Sequence, residues 1–138
     1  EAARAGYAAA VRLNPFEPRY GFWLVGLLRE AARREGDPAR RLALSRDAVA
    51  AARAMERSGP GDVRALHALG GSLAALAVEG VPEALPEAAA VLERGLRADW
   101  SYRSLLETRR TVAGLRGDRR VWADSSARLA RLDALNNK

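Results

Sequence analysis

After Pro18, apolar residues fall at Tyr20, Trp23, Leu24, Leu27, Leu28, Ala31 and Ala32, the i, i+3, i+4, i+7 recurrence that lines one stripe of an α-helix. Gly36 interrupts it. Asp37 then offers a carboxylate N-cap and Pro38 a first helical residue that needs no N–H, and Leu42, Val49, Ala52 and Met55 carry a second helix to about Arg57. Ser58-Gly59-Pro60-Gly61-Asp62 forms the next break, with Asp62 capping a third helix that holds Leu66, Leu69, Leu73 and Leu76. Gly80-Val81-Pro82 breaks the pattern again, and Pro86 opens a helix through Ala88, Leu92 and Leu96. Beyond Asp99-Trp100, Ser101 is the expected cap of a helix with Tyr102, Leu105, Leu106, Val112 and Ala113. Asp118 caps the last, with Trp122, Leu129 and Leu132. With an opening helix over Ala2–Leu13 the pattern predicts about seven helices, and Trp23 and Trp122 fall on predicted core faces.

Alternating helices with tight polar turns raise the question of a fixed period. Ala3, Tyr7 and Pro15 have the spacing of Ala88, Leu92 and Trp100. Between them stand Pro60, Leu66, Leu69-Gly70 and Leu73. These residues have the spacing of the small, aromatic, Leu-Gly and Pro positions of tetratricopeptide repeats, and the sequence resembles that family over almost its whole length. Independently of the name, small residues such as Ala3, Gly70, Ala88 and Gly95 suit close helix crossings, while Tyr7, Leu69 and Leu92 suit the adjoining holes. The resemblance implies an all-α fold of antiparallel helical hairpins stacked in a right-handed superhelix. Residues 1–138 would form a single repeat domain: 1–17 the second helix of a truncated unit, then hairpin units at 18–62, 63–102 and 103–138. A hairpin cannot bury both of its faces alone, so about three stacked units are the expected minimum.

The units depart from one another. The stretch from Pro15 to Gly36 is four residues longer than that from Trp100 to Gly117, about one turn at 3.6 residues per turn. The middle unit has an insert between Gly80 and Leu85, and the third has Arg109-Arg110 where Leu-Gly is expected. A second resemblance rests on the Leu-Asn-Pro-Phe-Glu-Pro-Arg-Tyr run at residues 13–20, followed by irregular units rich in Ala and Arg. It is similar to the repeat tails of bacterial membrane proteins of the O-antigen ligase and polymerase type. That likeness implies a periplasmic or extracytoplasmic segment, accessory to glycan assembly, with the chemistry elsewhere; without it the cytoplasm is the expected compartment.

Composition narrows the class. In 138 residues, 49% are hydrophobic but only 6% aromatic, and the dominance of Ala and Leu favours helices over sheets. No cysteine is present, which excludes disulfides and thiolate metal sites and leaves the compartment open. The stretch at residues 65–78 is well short of the roughly 20 apolar residues a membrane span requires. A start at Glu1 inside a helix reads as a piece of a longer chain, so a membrane anchor in the parent remains open. The net charge of +6 admits acidic partners. Basic and acidic residues nevertheless alternate at Arg29-Glu30, Arg34-Glu35 and Glu93-Arg94, as on solvated helix faces.

Catalytic chemistry has little to stand on. His67 is the one histidine, it lies inside a strong helical pattern, and Arg64, Ala68, Gly71 and Ala74 at helical spacing give it no second metal ligand. There is no phosphate-binding loop, and Arg116-Gly117-Asp118, the tripeptide of cell-adhesion motifs, reads as an inter-helix turn like Gly36-Asp37. Trp100 takes the turn position usual for Pro, either as a packing wedge or as an exposed anchor. A non-catalytic scaffold without cofactor or metal is the expected function. By resemblance, the first helix of each unit lines a concave groove, here Arg19, Phe22, Gly26 and Arg29, then Arg64, His67 and Gly71, then Ser104, Glu107 and Thr111. The family's Lys and Asn clamp for a C-terminal carboxylate is absent. A protein or peptide segment of acidic character is the expected partner. The alternative is an anionic polymer, nucleic acid or acidic glycan, held by the Arg-rich last hairpin; nucleic acid is the less favoured partner.

Overall fold

A computed structural model describes residues 1–14 and 17–137. Among them are seven α-helices and no strand: α1 (Ala2–Leu13), α2 (Pro18–Arg34), α3 (Pro38–Ser58), α4 (Val63–Val78), α5 (Leu85–Ala98), α6 (Arg103–Arg116) and α7 (Arg119–Asn136), with a 3₁₀ turn, Pro82–Ala84, ahead of α5. The 3₁₀ turn occupies the insert seen in the sequence, and α3, at 21 residues, is the longest helix. Pro15, used above as a helix stop, and Lys138 lie outside the described residues.

Local chemistry explains most boundaries. Asp37 accepts from the Ala39 and Arg40 N–H groups at 2.8 and 3.3 Å, Asp62 from Arg64 N–H at 2.8 Å, and Asp118 from Val121 N–H at 3.0 Å; each such cap contributes about 1 kcal/mol. Gly117, at φ 70°, ends α6 in the left-handed region, where the missing Cβ removes the steric cost. Ser101 does not cap α6. That helix begins at Arg103 after Tyr102, and both the N–H and the hydroxyl of Ser101 donate to Asp99 Oδ1, at 3.0 and 2.7 Å. The stronger carboxylate acceptor organises the turn instead.

Each helix packs on the next in sequence, and α4 also packs on α2 and α6. Enclosed by α2, α3, α5 and α6, α4 buries residues around most of its circumference, as expected of a helix apolar on nearly all sides. Leu66, Leu73, Leu92, Leu105, Leu106 and Val112 form the driest part of the core. Ion pairs join the outer helices α3 and α5: Arg53 to Glu87 at 2.5 Å and Arg94 to Glu56 at 2.6 Å.

Two of the expected core aromatics are on the surface. Trp23 is 55% and Trp122 49% exposed. In α2 the buried stripe is Gly21, Val25, Leu28 and Ala32, and a Cβ on Gly21 would come within 2.5 Å of Met55 Cγ. The α2–α3 crossing is therefore centred on a residue without a side chain, which turns Trp23 outward to stack on Tyr7 at 6.4 Å between ring centroids. In α7 the buried positions are Ser125 and Leu129, and Trp122 lies over Gly114. Ala3, read as a close-crossing residue, is exposed, because α1 buries none of its residues. Gly70 and Gly95 do mark close crossings, against Leu92 and Leu105.

Candidate partner-binding groove

α4 packs on both α2 and α6, and several of the sequence-selected residues line two recesses on these helices. Arg29 of α2, Gly71 of α4, and Glu107 and Thr111 of α6 line one open trough holding about 430 Å³, with Ala74 and Ala75 in its wall. Its far end is formed by two exposed aliphatic residues, Val78 at 66% and Leu115 at 47%. The small α4 residues give the trough its depth, since larger side chains there would fill the space between α2 and α6.

The electrostatics of the trough are uneven. Arg29 crosses α4 over Gly71, where a Cβ would stand 2.9 Å from Nη1. Burial, and then the charge of Arg33, lower the pKa of this guanidinium, although an arginine stays protonated in a protein. Glu107 is held by Arg103 at 3.0 Å. The hydroxyls of Thr108 and Thr111 donate to the carbonyls of Ser104 and Glu107, at 2.9 and 3.1 Å, so they satisfy the helix.

His67 is part-buried and packs on Tyr102 with ring centroids 5.9 Å apart. Burial lowers its pKa most, Arg29 lowers it further, and Glu107 opposes both. The imidazole is thus held neutral, beside no metal-ligand partner: among the described residues no three His, Cys, Asp or Glu gather into a metal-binding group.

Arg19, Phe22 and Arg64 line a second, mostly apolar recess of about 200 Å³ with Pro18, Trp23 and Met55. Both cations there are engaged, Arg19 by Glu17 at 2.8 Å and Arg64 by Asp62 at 3.3 Å. Phe22, 44% exposed, presents the apolar surface. Ser104 lines neither recess and serves through its carbonyl. Sequence reasoning assigned Arg110 to the alternative basic hairpin rather than to this trough, and did not select Val78, Leu115 or Trp23. Arg110 and Leu115 could have been found by continuing the groove-facing positions along the last turns of α6; Trp23 was obscured by its size, which argued for the core.

A third cleft, of about 160 Å³, lies among α1 to α4 and shares Pro18 and Met55 with the second recess. It is walled mainly by Val11, Leu24, Ala51, Ala54 and Met55, and the carboxylates at its rim, Glu17 and Asp62, are those already held by Arg19 and Arg64. It offers apolar packing space without a free polar group to orient a ligand.

None of the helices is long and apolar enough to cross a membrane. No protein-family model, curated protein or solved structure matches this chain.

Proposed function

We propose that the chain is a tetratricopeptide-like array, residues 1–138 forming one repeat domain, whose task is to bind a protein or peptide segment in the groove of α2, α4 and α6. The arrangement of the helices supports the repeat reading. Residues ascend together from α2 to α4, with Phe22 and Arg64 in one recess and Arg29 over Gly71, and α6 packs on the same helix α4. Between α6 and α7 paired residues run in opposite directions, Arg103 to Asp133 and Arg109 to Asp124. Such a pattern is what stacked antiparallel hairpins with first helices on a common side would produce.

The observation that carries the binding reading is the open trough of about 430 Å³ between three helices, with an exposed Phe22 in a separate recess on α2 and α4. Grooves of this kind take an extended or helical segment through a few anchoring side chains. The competing reading, an anionic polymer on the Arg-rich last hairpin, is weakened at its centre. Arg109 is buried and already paired with Glu93 and Asp124.

Capture of a partner from the source organism, repeated with variants, tests this. Phe22→Ala and Arg64→Glu should each weaken capture while helicity is retained, and Arg57→Glu on α3 should not. Capture abolished by charge reversal at Arg120 but untouched by Phe22→Ala would replace the groove with the basic hairpin.

A further inference from the structure

Arg29 differs from most of the arginines that are not exposed. Arg41, Arg53 and Arg109 each reach a carboxylate, at 2.6, 2.5 and 2.5 Å, whereas Arg29 makes no hydrogen bond or ion pair with a described side chain or backbone group. A guanidinium carries five N–H donors, and those of Arg29 have no protein acceptor among the described residues and line the open trough. Crowding does not force it there. Gly71 provides the space, since a Cβ would stand 2.9 Å from Nη1, at the cost of a poorer helix former in mid-helix. Two consecutive glycines thus sit in the middle of α4: a Cβ on Gly70 would meet Leu92 first, and one on Gly71 the Arg29 guanidinium.

Arg110 of α6 lines the same trough and likewise has no carboxylate partner among the described residues. The single carboxylate in the lining, Glu107, belongs to Arg103. With the threonine hydroxyls turned into the helix, the donors left facing the trough are the two guanidinium groups. Planar N–H forks of this kind match a carboxylate, and the exposed Val78 and Leu115 beside them match an aliphatic side chain.

We propose that Arg29 and Arg110 form a seat for an Asp or Glu side chain of a peptide segment in the trough, with Val78 and Leu115 receiving an adjacent aliphatic residue. The assignment rests on the groove reading above and adds the chemistry of its occupant.

The test is selection of short random peptides, fused through their C termini so that no terminal carboxylate is free, against the purified chain. Selected peptides should be enriched in Asp or Glu next to an aliphatic residue. Their affinity should fall roughly tenfold or more with Arg29→Gln and with Arg110→Gln, the scale of a lost charge-assisted pair, and stay unchanged with Arg57→Gln. The melting temperature of Arg29→Gln should equal or exceed that of the wild type. Selected peptides without acidic enrichment, or indifferent to Arg29→Gln, would leave the groove in place and remove the seat. An acidic preference seen only in peptides with a free C terminus would overturn the side-chain assignment. A lower melting temperature for Arg29→Gln with unchanged peptide affinity would assign Arg29 to packing, and failure to select any peptide would overturn both readings.

Discussion

Gly70 sits against Leu92 so closely that a Cβ on it would come within 2.6 Å of Leu92 Cδ2 and 2.8 Å of Cγ. Leu92 is fully buried, so it has no solvent into which to retreat, and the α4–α5 crossing must open to accept even one methyl group. Gly70→Ala should cost about 1–3 kcal/mol by overpacking, and Gly70→Leu more. Gly26 is the internal control, with no atom within 4 Å of its added Cβ. Gly26→Ala should stabilise by about 0.5–1 kcal/mol. Equal denaturation midpoints for the two alanine variants would refute the close crossing.

Arg109, where the repeat resemblance led to an expectation of Leu, is buried. Its Nε donates to Glu93 at 2.5 Å, and its Nη1 to Asp124 at 2.6 Å and to Ser125 Oγ at 2.9 Å. Burial alone would lower its pKa, but the hydrogen bonds to Glu93 and Asp124 outweigh that and raise it. Arg109→Ala removes these bonds and leaves a void, and should cost about 2–4 kcal/mol. Arg109→Leu restores the apolar volume while Glu93 and Asp124, both 42% exposed, return to water, so it should recover much of the loss. Thermal melts of the two variants decide the point, and identical melting temperatures would mean that the guanidinium head rather than its stem sets the stability.

The same position shows where the sequence was legible and where it was not. Breaks at Gly36-Asp37, Asp62 and Gly117-Asp118 were visible because a short acidic side chain capping an N-terminus is a local matter. The Gly70 crossing followed from spacing. The face of α2 did not, since Tyr20, Trp23, Leu24 and Leu27 flank the buried stripe of Gly21, Val25, Leu28 and Ala32. Two overlapping stripes leave the rotation of the helix undetermined until Met55 of α3 is known to fill the space over Gly21. Burial of Arg109 was equally hidden, because its carboxylate partners come from α5 and α7. For the groove, the family resemblance pointed to Arg29, Gly71, Glu107 and Thr111, but not to the absence of a carboxylate partner at Arg29 or to the pairing of Glu107 with Arg103.

All three tryptophans should report solvent. Trp23, Trp100 and Trp122 are 55%, 61% and 49% exposed, and none belongs to the buried core. Acrylamide should quench nearly all of the native fluorescence, with emission close to that of the unfolded chain. A large unquenched fraction would show that at least one indole is enclosed.

Removal of residues 101–138 should be severe. Leu105, Leu106 and Val112 of α6 are at most 2% exposed, and α6 covers faces of both α4 and α5, so the truncated chain would present Leu92, Leu96 and Leu66 to water. Each large side chain uncovered forfeits about 1.5–3 kcal/mol. Aggregation or loss of a cooperative melt is the expected outcome, while a monomeric truncation melting at the wild-type temperature would show that the first five helices stand alone.

His67 should make stability depend on pH in a window clear of the carboxylates. Burial first, and then the charge of Arg29, hold its pKa below the ordinary value, with only Glu107 pulling the other way. The unfolded chain therefore takes up a proton on this residue before the folded chain does as pH falls through about 6.5. Stability is complete above that value and declines as pH falls toward the lower, folded value. Asp62 and Asp124 also have lowered pKa values, but their contributions are present above the ordinary carboxylate range near 4 and are lost only below it, so they do not overlap. Between about pH 6.5 and 5 the wild type should lose denaturation free energy while His67→Gln stays flat. The neighbouring cation gives the measurement a second arm, because Arg29→Gln removes one of the two influences that lower the His67 pKa and should raise it in a titration followed by NMR. If that pKa is unmoved by Arg29→Gln, the guanidinium does not face the imidazole, and the electrostatic layout of the trough is wrong at its centre.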